Sequence, residues 1–517
     1  MSASAGAAGK ETAGRGLLVV SVMLATIMQV IDTTIANVAL PEMQGSLSAT
    51  RDQISWVLTS YIVAAAIMTP PTGWLAERLG RRRLFLICIT GFTTASVLCG
   101  FAGSIGSMVA FRILQGLFGA ALVPLSQSTL LNAYPPEKHG QAMALWGVGI
   151  MVGPILGPTV GGYLTEYYSW HWVFFINVPV GILAFLGVAA SIPDSTPNDR
   201  PFDFAGFAFL SLAVGAFQMM LDRGESLDWF ASTEIKVEAG LAFACFWMFL
   251  VHARTAKTPF VDLGLFKDRN FASGSVFIFI VGIVLLATLA LLPPFLQQLM
   301  GYPVMTTGLV LAPRGVGTMI SMIVVGRILG KVDARFPILA GLMLTALSLH
   351  QMAGFTMEVG IRDIVVSGLI QGAGLGLIFV PLSTMTFATL PTRARTEAAG
   401  LFSLIRNIGS SVGISIVMSL LSRNGTINHA TLTEHVTPFN EMLQRPWLPD
   451  AWSLDAPAGL AALNAEITRQ ATQIAFLNDF KLMMVVTLAA APLLLLLRSP
   501  KHAASPPGRP AAPAADH

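Results

Sequence analysis

A chain of 517 residues with 54% hydrophobic and 11% charged side chains, and a mean hydropathy of +0.68, has too little polar side chain to coat a water-soluble body of its size. It reads as an integral membrane protein. The formal net charge of +3 gives nucleic-acid binding no support, because in a membrane chain the placement of Lys and Arg says more than their sum.

Residues 1–16 are rich in Ala, Gly and Ser and predict a disordered lead-in. Apolar runs then follow at about 17–40, 54–75, 84–102, 108–132, 141–164, 173–192, 204–221, 235–251, 271–298, 306–329, 336–355, 361–388, 397–421 and 479–498, each long enough to cross a bilayer at roughly 20 residues per span. The result is an all-α fold of fourteen transmembrane helices. Of the 31 Lys and Arg, 20 fall on the side shared by the termini, 8 on the other side and 3 within spans, so both termini are predicted to be cytoplasmic. Cys88, Cys99 and Cys245 lie in apolar runs and read as core packing. Cys88 and Cys99 are about 16 Å apart along one helix, too far to bridge.

The first run holds IDTTIANVALP, with Asp32 inside it. An acid at the centre of a span costs about 2.5 to 3.5 kcal/mol on insertion scales, so such a residue faces a bundle interior and marks an ion or proton path. GWLAERLGRRR follows the second run, with Gly73, Glu77, Arg78, Gly80, Arg81 and Arg82 in a short basic loop. Glycines allow a tight turn there, and the acid and arginines can pair across helices as a latch. A plain topology signal would explain the arginines but not the Gly73, Glu77, Gly80 spacing. In FRILQGLFGAA, Arg112 sits about 8 Å into its helix and Asp32 about 13 Å from Pro41, which gives the two similar depths. The pair reads as proton-handling, with a static neutralising ion pair as the competing structural reading. GVGIMVGPILGPTVGG places Gly149, Gly153, Gly157 and Gly161 at a spacing of four, with Pro154 and Pro158 among them. One helical stripe there lacks side chains and admits a neighbouring backbone. WHWVFFINVPVG reads as an interfacial aromatic belt, and Asp222, Arg223, Glu225 and Asp228 as a solvated turn.

An internal repeat organises the rest. ILQGLFGAALVPLS, from Ile113, returns as LIQGAGLGLIFVPLS, from Leu369, with Gln371 lying 256 positions after Gln115; Gly153 and Gly409 share that offset, and Pro41 and Pro293 differ by 252. Runs 1–6 therefore match runs 9–14. The expected bodies are a six-helix bundle over 17–200, an inserted pair over 201–255, and a second bundle over 256–498. The second bundle includes a long external loop at 422–478, and a Pro- and Ala-rich tail follows at 499–517. The counterpart of Asp32 falls near Val284–Ala287, where no acid occurs.

These motifs, in this order over about residues 17–498, resemble the major facilitator superfamily, and within it the fourteen-helix drug:proton antiporter family of the EmrB/QacA type. The resemblance implies the major facilitator fold, alternating access between two bundles, and drug export from the bacterial inner membrane. It makes the loop after run 2 the conformational latch, although the family usually has Asp where Glu77 stands here. It makes Asp32 and Arg112 the proton-coupling pair and the glycine stripe the antiporter motif of helix 5. It also implies that the 422–478 loop meets a periplasmic adaptor of the EmrA kind, joined to an outer-membrane channel of the TolC kind. The later part of that loop, 460–477, has an amphipathic helical pattern, which equally suits a helix packed on its own bundle.

Arg314, in LAPRG, departs from the family pattern, whereas Arg406, in IRNIG, matches it; both lie about 13 Å into their helices. An interior with three arginines and one clear acid favours hydrophobic weak acids or neutral compounds over organic cations. The candidate substrate cavity is Arg314, Arg406, Gln115 and Gln297. For Arg314, snorkelling or bonding to backbone carbonyls is the plain structural reading. Glu397, at the start of run 13, reads as a second titrating group or as a partner of the helix dipole. No GxxxxGK[ST] occurs, so the expected energy source is the proton gradient, with no cofactor. His429 and His435 lack a third ligand, and no metal site is expected. A membrane enzyme would need a nucleophile with its base, a metal cluster or a soluble domain, and none is legible.

Overall fold

The computed structural model describes residues 2–194, 201–437, 439–440, 452 and 456–497, and no strand occurs among them. The C-terminal tail predicted at 499–517 lies outside the described residues. Helix α1 (Ser2–Ser46) begins well before the apolar run, in keeping with Ala as the strongest helix former. Its membrane-crossing part is Arg15–Ser46. Helix α2 (Arg51–Met68) opens on a Thr50 capping box, breaks at Pro70–Pro71, and resumes at Thr72–Leu79 bent by 60°, because proline removes helical donors. Gly80 has φ +84° and joins this piece to α3 (Arg81–Gly100); positive φ is where a Cβ would be strained.

The first bundle is completed by α4 (Ile105–Gly119, continuing over Leu122–Ala133), α5 (His139–Tyr167) and α6 (Asn177–Ser191, after a turn at Trp172–Phe175). The inserted pair is α7 (Phe204–Arg223) and α8 (Thr233–Thr255). The second bundle comprises α9 (Arg269–Pro294), α10 (Val304–Ile328), α11 (Arg335–Met352), α12 (Ile361–Ala388), α13 (Arg395–Thr433) and α14 (Pro457–Ala489). Among the described residues twelve helices are long and apolar enough to cross a membrane, and the bent α2 makes thirteen. The remaining predicted run, 336–355, is occupied by α11, which is only 18 residues long, so that Arg335, His350 and Gln351 at its ends fall within its span.

The duplication read from the sequence appears as a repeated packing pattern. In the first bundle α1 packs on α4, α5 and α6, α4 packs on α2 and α3, and α3 packs on α6; in the second, α9, α12, α13, α14, α10 and α11 repeat each of these pairs in the same roles. The two bundles meet chiefly through α5 against α10, and through α13 against α4 and the short second piece of α2. Near the basic loops that seam is tight. A Cβ on Gly326 would lie 2.5 Å from Ala144, one on Gly140 2.9 Å from Leu329, and one on Gly400 3.1 Å from the Thr69 carbonyl. Trp146 stacks on Phe379 with ring centres 5.7 Å apart, and Arg395 Nη1 donates to the Leu131 carbonyl and to Asn132 Oδ1 at 3.3 and 3.2 Å.

The inserted pair lies along α2 and α13. Asp203 caps α7: its carboxylate accepts from the Gly206 and Phe260 backbone N–H groups at 2.9 and 3.1 Å, and it meets His252 Nε2 at 2.8 Å. Partial burial pushes this carboxyl upward, but the hydrogen bonds from Gly206, His252 and Phe260 outweigh it and hold the group below its ordinary range. At the other end of α7, Thr59 Oγ1 donates to Asp222 and Arg223 pairs with Glu234, so these charges tie helices together where the sequence suggested a solvated turn. Trp229 Nε1 donates to Ser419 Oγ at 2.9 Å.

The external loop expected at 422–478 is mostly helix. Helix α13 runs on to Thr433 and α14 already starts at Pro457. Asn428 Nδ2 donates to the Ala471 carbonyl at 3.3 Å, and His429 Nε2 meets Asn464 Oδ1 at 2.9 Å. Leu463, Ile467 and Ala471 are buried, so this part of the amphipathic face covers its own bundle, while Leu460 and Ile474 of the same face are exposed. Residues 441–451 of the predicted loop are outside the described set.

Candidate functional site

Helix α5 sets the position of Asp32. Cβ atoms at Gly153 and Gly161 would lie 2.5 and 2.7 Å from Val30 and Ile35, and those at Gly149 and Gly157 would strike Met23 and Thr34. The glycine stripe is thus the bed of α1, and Thr34 Oγ1 donates to the Gly153 carbonyl at 3.1 Å. Pro154 and Pro158 remain inside one continuous helix, and the opposite side of α5, at Ile155 and Pro158, faces α10 at Gly315 and Gly308.

With α1 seated this way, Asp32 is fully buried and accepts three hydrogen bonds. Arg112 Nη1 donates to Oδ2 at 2.7 Å, while Gln115 Nε2 and Asn177 Nδ2 each donate to Oδ1 at 2.8 Å. Arg112, also fully buried, donates through Nε to the Val57 carbonyl at 2.9 Å and through Nη1 to Gln115 Oε1 at 2.7 Å. Its guanidinium stands 4.3 Å from the centre of the Tyr61 ring, and the Tyr61 hydroxyl accepts from Gln29 at 3.0 Å. Asn177 also reaches Ser96 Oγ at 2.9 Å. A desolvated ion pair persists only when its remaining polar atoms are satisfied; helices α1, α2, α3, α4 and α6 together satisfy this one. Adding a proton to Asp32 would cancel its charge and release the Arg112 guanidinium from its partner.

The other sequence candidates separate. Gln115 belongs to the Asp32 network and not to an open cavity, because its side chain is fully buried against Asp32 and Arg112. Gln297 is half-buried in a π turn, Phe295–Leu299, at the end of α9. Arg314, 5% exposed, and Arg406 both come against α9: Arg314 Nη2 donates to the Leu285 carbonyl at 3.3 Å, and the Arg406 backbone carbonyl lies 2.5 Å from where a Cβ on Gly282 would be. The Arg406 side chain donates to Asn407 Oδ1 at 3.4 Å, and Asn407 is exposed in mid-helix.

In the expected latch, a Cβ on Gly73 would lie 2.7 Å from Glu397 Cα, a contact between bundles, and the Glu397 carboxylate accepts from the Asp262 backbone at 2.7 Å. Arg82 pairs instead within the first bundle, with Asp194 at 2.8 Å and the Ala189 carbonyl at 2.7 Å. Glu77 is half-buried, Arg78 exposed and Arg81 half-buried on the same turn around Gly80. Polar residues that the sequence does not single out complete the picture. Asn177 lies in the WHWVFFINVPVG stretch that reads as an aromatic belt. Asp479 is 1% exposed on α14, with Oδ2 lacking a partner, so the second bundle has a buried acid of its own, which the apolar run starting at 479 places at the water's edge.

Comparison with known proteins places this geometry in a family. The family model described as Major Facilitator Superfamily matches residues 22–414. The chain is 37% identical to the fatty acid resistance protein FarB of Neisseria gonorrhoeae, over 93% of this chain and 96% of that protein. It is 39% identical to the multidrug export protein EmrB of Escherichia coli K12, over 83% of this chain and 84% of that protein. Among solved structures, the human organic anion transporter MFSD10 (TETRAN) shares the fold with a TM-score of 0.60 at 13% identity, covering 91% of this chain and 99% of that one. The chain belongs to the Major Facilitator Superfamily, in its EmrB-type branch, and is a multi-pass membrane transporter, not an enzyme.

Proposed function

We propose that this protein is a drug:proton antiporter of the bacterial inner membrane, exporting hydrophobic toxic compounds that are weakly acidic or neutral by alternating access. The observation that carries the reading is the buried Asp32–Arg112 pair with its donors Gln115 and Asn177. Each transport cycle would protonate Asp32 from the outside and release that proton inward when drug binds. The membrane potential supplies about 2.3 kcal/mol per charge per 100 mV, enough to drive a useful drug gradient with one or two protons. The names of FarB and EmrB, a fatty acid resistance and a multidrug export protein, support the substrate class. In this reading both termini are cytoplasmic, the bend at Gly80 with Glu77 and its arginines latches one state, and the α13–α14 hairpin faces a periplasmic adaptor of the EmrA kind joined to a TolC-like outer-membrane channel.

The deciding experiment is proton release from purified protein on addition of candidate drugs, in wild type and Asp32→Asn. Release from wild type and none from the variant is expected. If the variant retains full proton-coupled export, Asp32 has no part in the coupling. A purely structural ion pair would show itself differently, as a variant that binds no drug because it fails to fold.

A further inference from the structure

The two bundles answer one another at the Asp32 site, and the second is missing a charge. At the offset of 256 that relates Gln115 to Gln371, Arg112 corresponds to Gly368, while the offset of 252 between Pro41 and Pro293 puts the counterpart of Asp32 at Val284, one turn from Thr288. Each glutamine donates to the first helix of its bundle: Gln115 donates to Asp32 at 2.8 Å, and Gln371 Nε2 donates to Thr288 Oγ1 at 3.4 Å. The Thr288 hydroxyl itself donates to the Val284 carbonyl at 2.8 Å. Where the first bundle has Arg112, the second has a bare glycine, and a Cβ there would lie 3.6 Å from Arg314 Cβ. Arg314 comes from α10, at the position matching Tyr61 on α2: a Cβ on Gly116 would meet the Tyr61 carbonyl just as one on Gly372 would meet the Arg314 carbonyl, and Tyr61 is the ring that the Arg112 guanidinium overlies. The second bundle therefore keeps a buried guanidinium in the corresponding region but supplies it from the facing helix, and the buried acid of this bundle, Asp479 on α14, makes no ion pair with it.

That guanidinium is incompletely met. Arg314 Nη2 reaches the Leu285 carbonyl, one turn from Thr288, while Nη1 is buried without a partner, as is Gln371 Oε1. Among the described residues Arg314 makes no ion pair. A buried charge without a counter-charge is costly, and Val284, Ala287, Leu291 and Val310, on the two helices that carry Leu285 and Arg314, belong to one apolar cluster. We propose that the second bundle holds an anion site centred on Arg314, in which the carboxylate of a hydrophobic weak acid occupies the role that Asp32 plays in the first bundle. The apolar neighbours would take the acid's hydrocarbon body. The proposal rests on the export reading above and assigns its acidic substrates a place.

The test is equilibrium binding to the purified full-length protein in detergent at fixed pH, without a gradient. The probes are a fluorescent long-chain fatty acid and its neutral primary amide. Wild type is expected to prefer the acid by about tenfold or more, the scale of a charge-assisted hydrogen bond. Arg314→Gln should lose that preference while still binding the amide. Thr288→Asp, which installs the missing internal acid, should lose it as well. The proposal is overturned if Thr288→Asp and Arg314→Gln keep the full preference, or if chloride at low millimolar concentration abolishes it in wild type, which would mark a small-anion site. Failure of the export reading would look different, as proton-coupled export surviving in Asp32→Asn whatever the acid preference.

Discussion

Asp32 receives its hydrogen bonds from two other helices, Arg112 and Gln115 on α4 and Asn177 on α6, so charge and packing can be separated by substitution. Asn at this position keeps the volume but loses the charge and one acceptor, leaving Arg112 as an unpaired buried cation. Asp32→Asn should abolish drug-induced proton release and lower gradient-driven export by at least about tenfold, while drug binding measured by tryptophan quenching changes by no more than a few fold. A parallel loss of binding would assign the pair to folding. Asp32 and Arg112 were legible in the sequence because charges in apolar runs stand out and helical rise gives their depth. Asn177, Ser96 and Tyr61 were not, because an uncharged polar residue in a span looks the same whether it bonds a neighbour or its own backbone. Thr288 is not legible as a partner of Gln371 either, because it lies one turn beyond the repeat counterpart of Asp32 and only the hydrogen bond identifies it.

At the scale of elements, α5 is a two-faced part: its glycines bed α1, and its other side meets α10. Any side chain on the stripe must push α1 outward, and with it Asp32. Overpacking of a well-filled interface costs about 1 to 3 kcal/mol, so Gly157→Val should lower the melting temperature in detergent and reduce export, whereas the same change at Gly45, where a Cβ has open space, should leave the melting temperature unchanged. The α7 cap carries a pH prediction. The Asp203 carboxyl is held below its ordinary range, so the ionised form favours the folded state; its contribution is present above the unfolded-state pKa, near pH 4, and fades as pH falls through the lower folded value. Asp203→Asn should therefore cost about 1 kcal/mol at neutral pH, and the difference between variant and wild type should shrink as thermal melts are taken below about pH 4. A variant gap that is flat with pH would remove the carboxylate from that role. The glycine spacing predicted a close helix contact without naming the partner; periodicity identifies a bare stripe but not the helix that lies in it. The α13–α14 hairpin has polar outer turns and so looks like a loop in the sequence, because hydropathy does not distinguish a solvated helix from a loop.

For the whole molecule, the tight part of the seam lies near the basic loops, where Arg395 on α13 bonds the end of α4 and Gly400 abuts Thr69. A transporter that alternates access must open this end in half of its cycle. Arg395→Ala removes bonds made in the closed arrangement only, so spin labels at exposed sites on the α4–α5 and α12–α13 turns should report a larger share of the long-distance population than in wild type. No change would place the closing energy in the packed glycines and aromatic rings. The duplication and the helix count were readable because each bundle repeats its own motifs, but the seam was not, since contacts between the halves have no internal copy to compare.

The α13–α14 hairpin carries one more consequence. Helix α13 has 39 residues, about 58 Å at 1.5 Å per residue, against a hydrocarbon core of about 30 Å. Both of its helices are continuous with membrane spans of the second bundle, and Asn428 and His429 cross-brace them. The projecting end is therefore a lever arm with its fulcrum in the bilayer, and when the second bundle tilts, the tip sweeps farther than any buried residue. A protein seated on that end would sense each turnover of the transporter as a mechanical displacement.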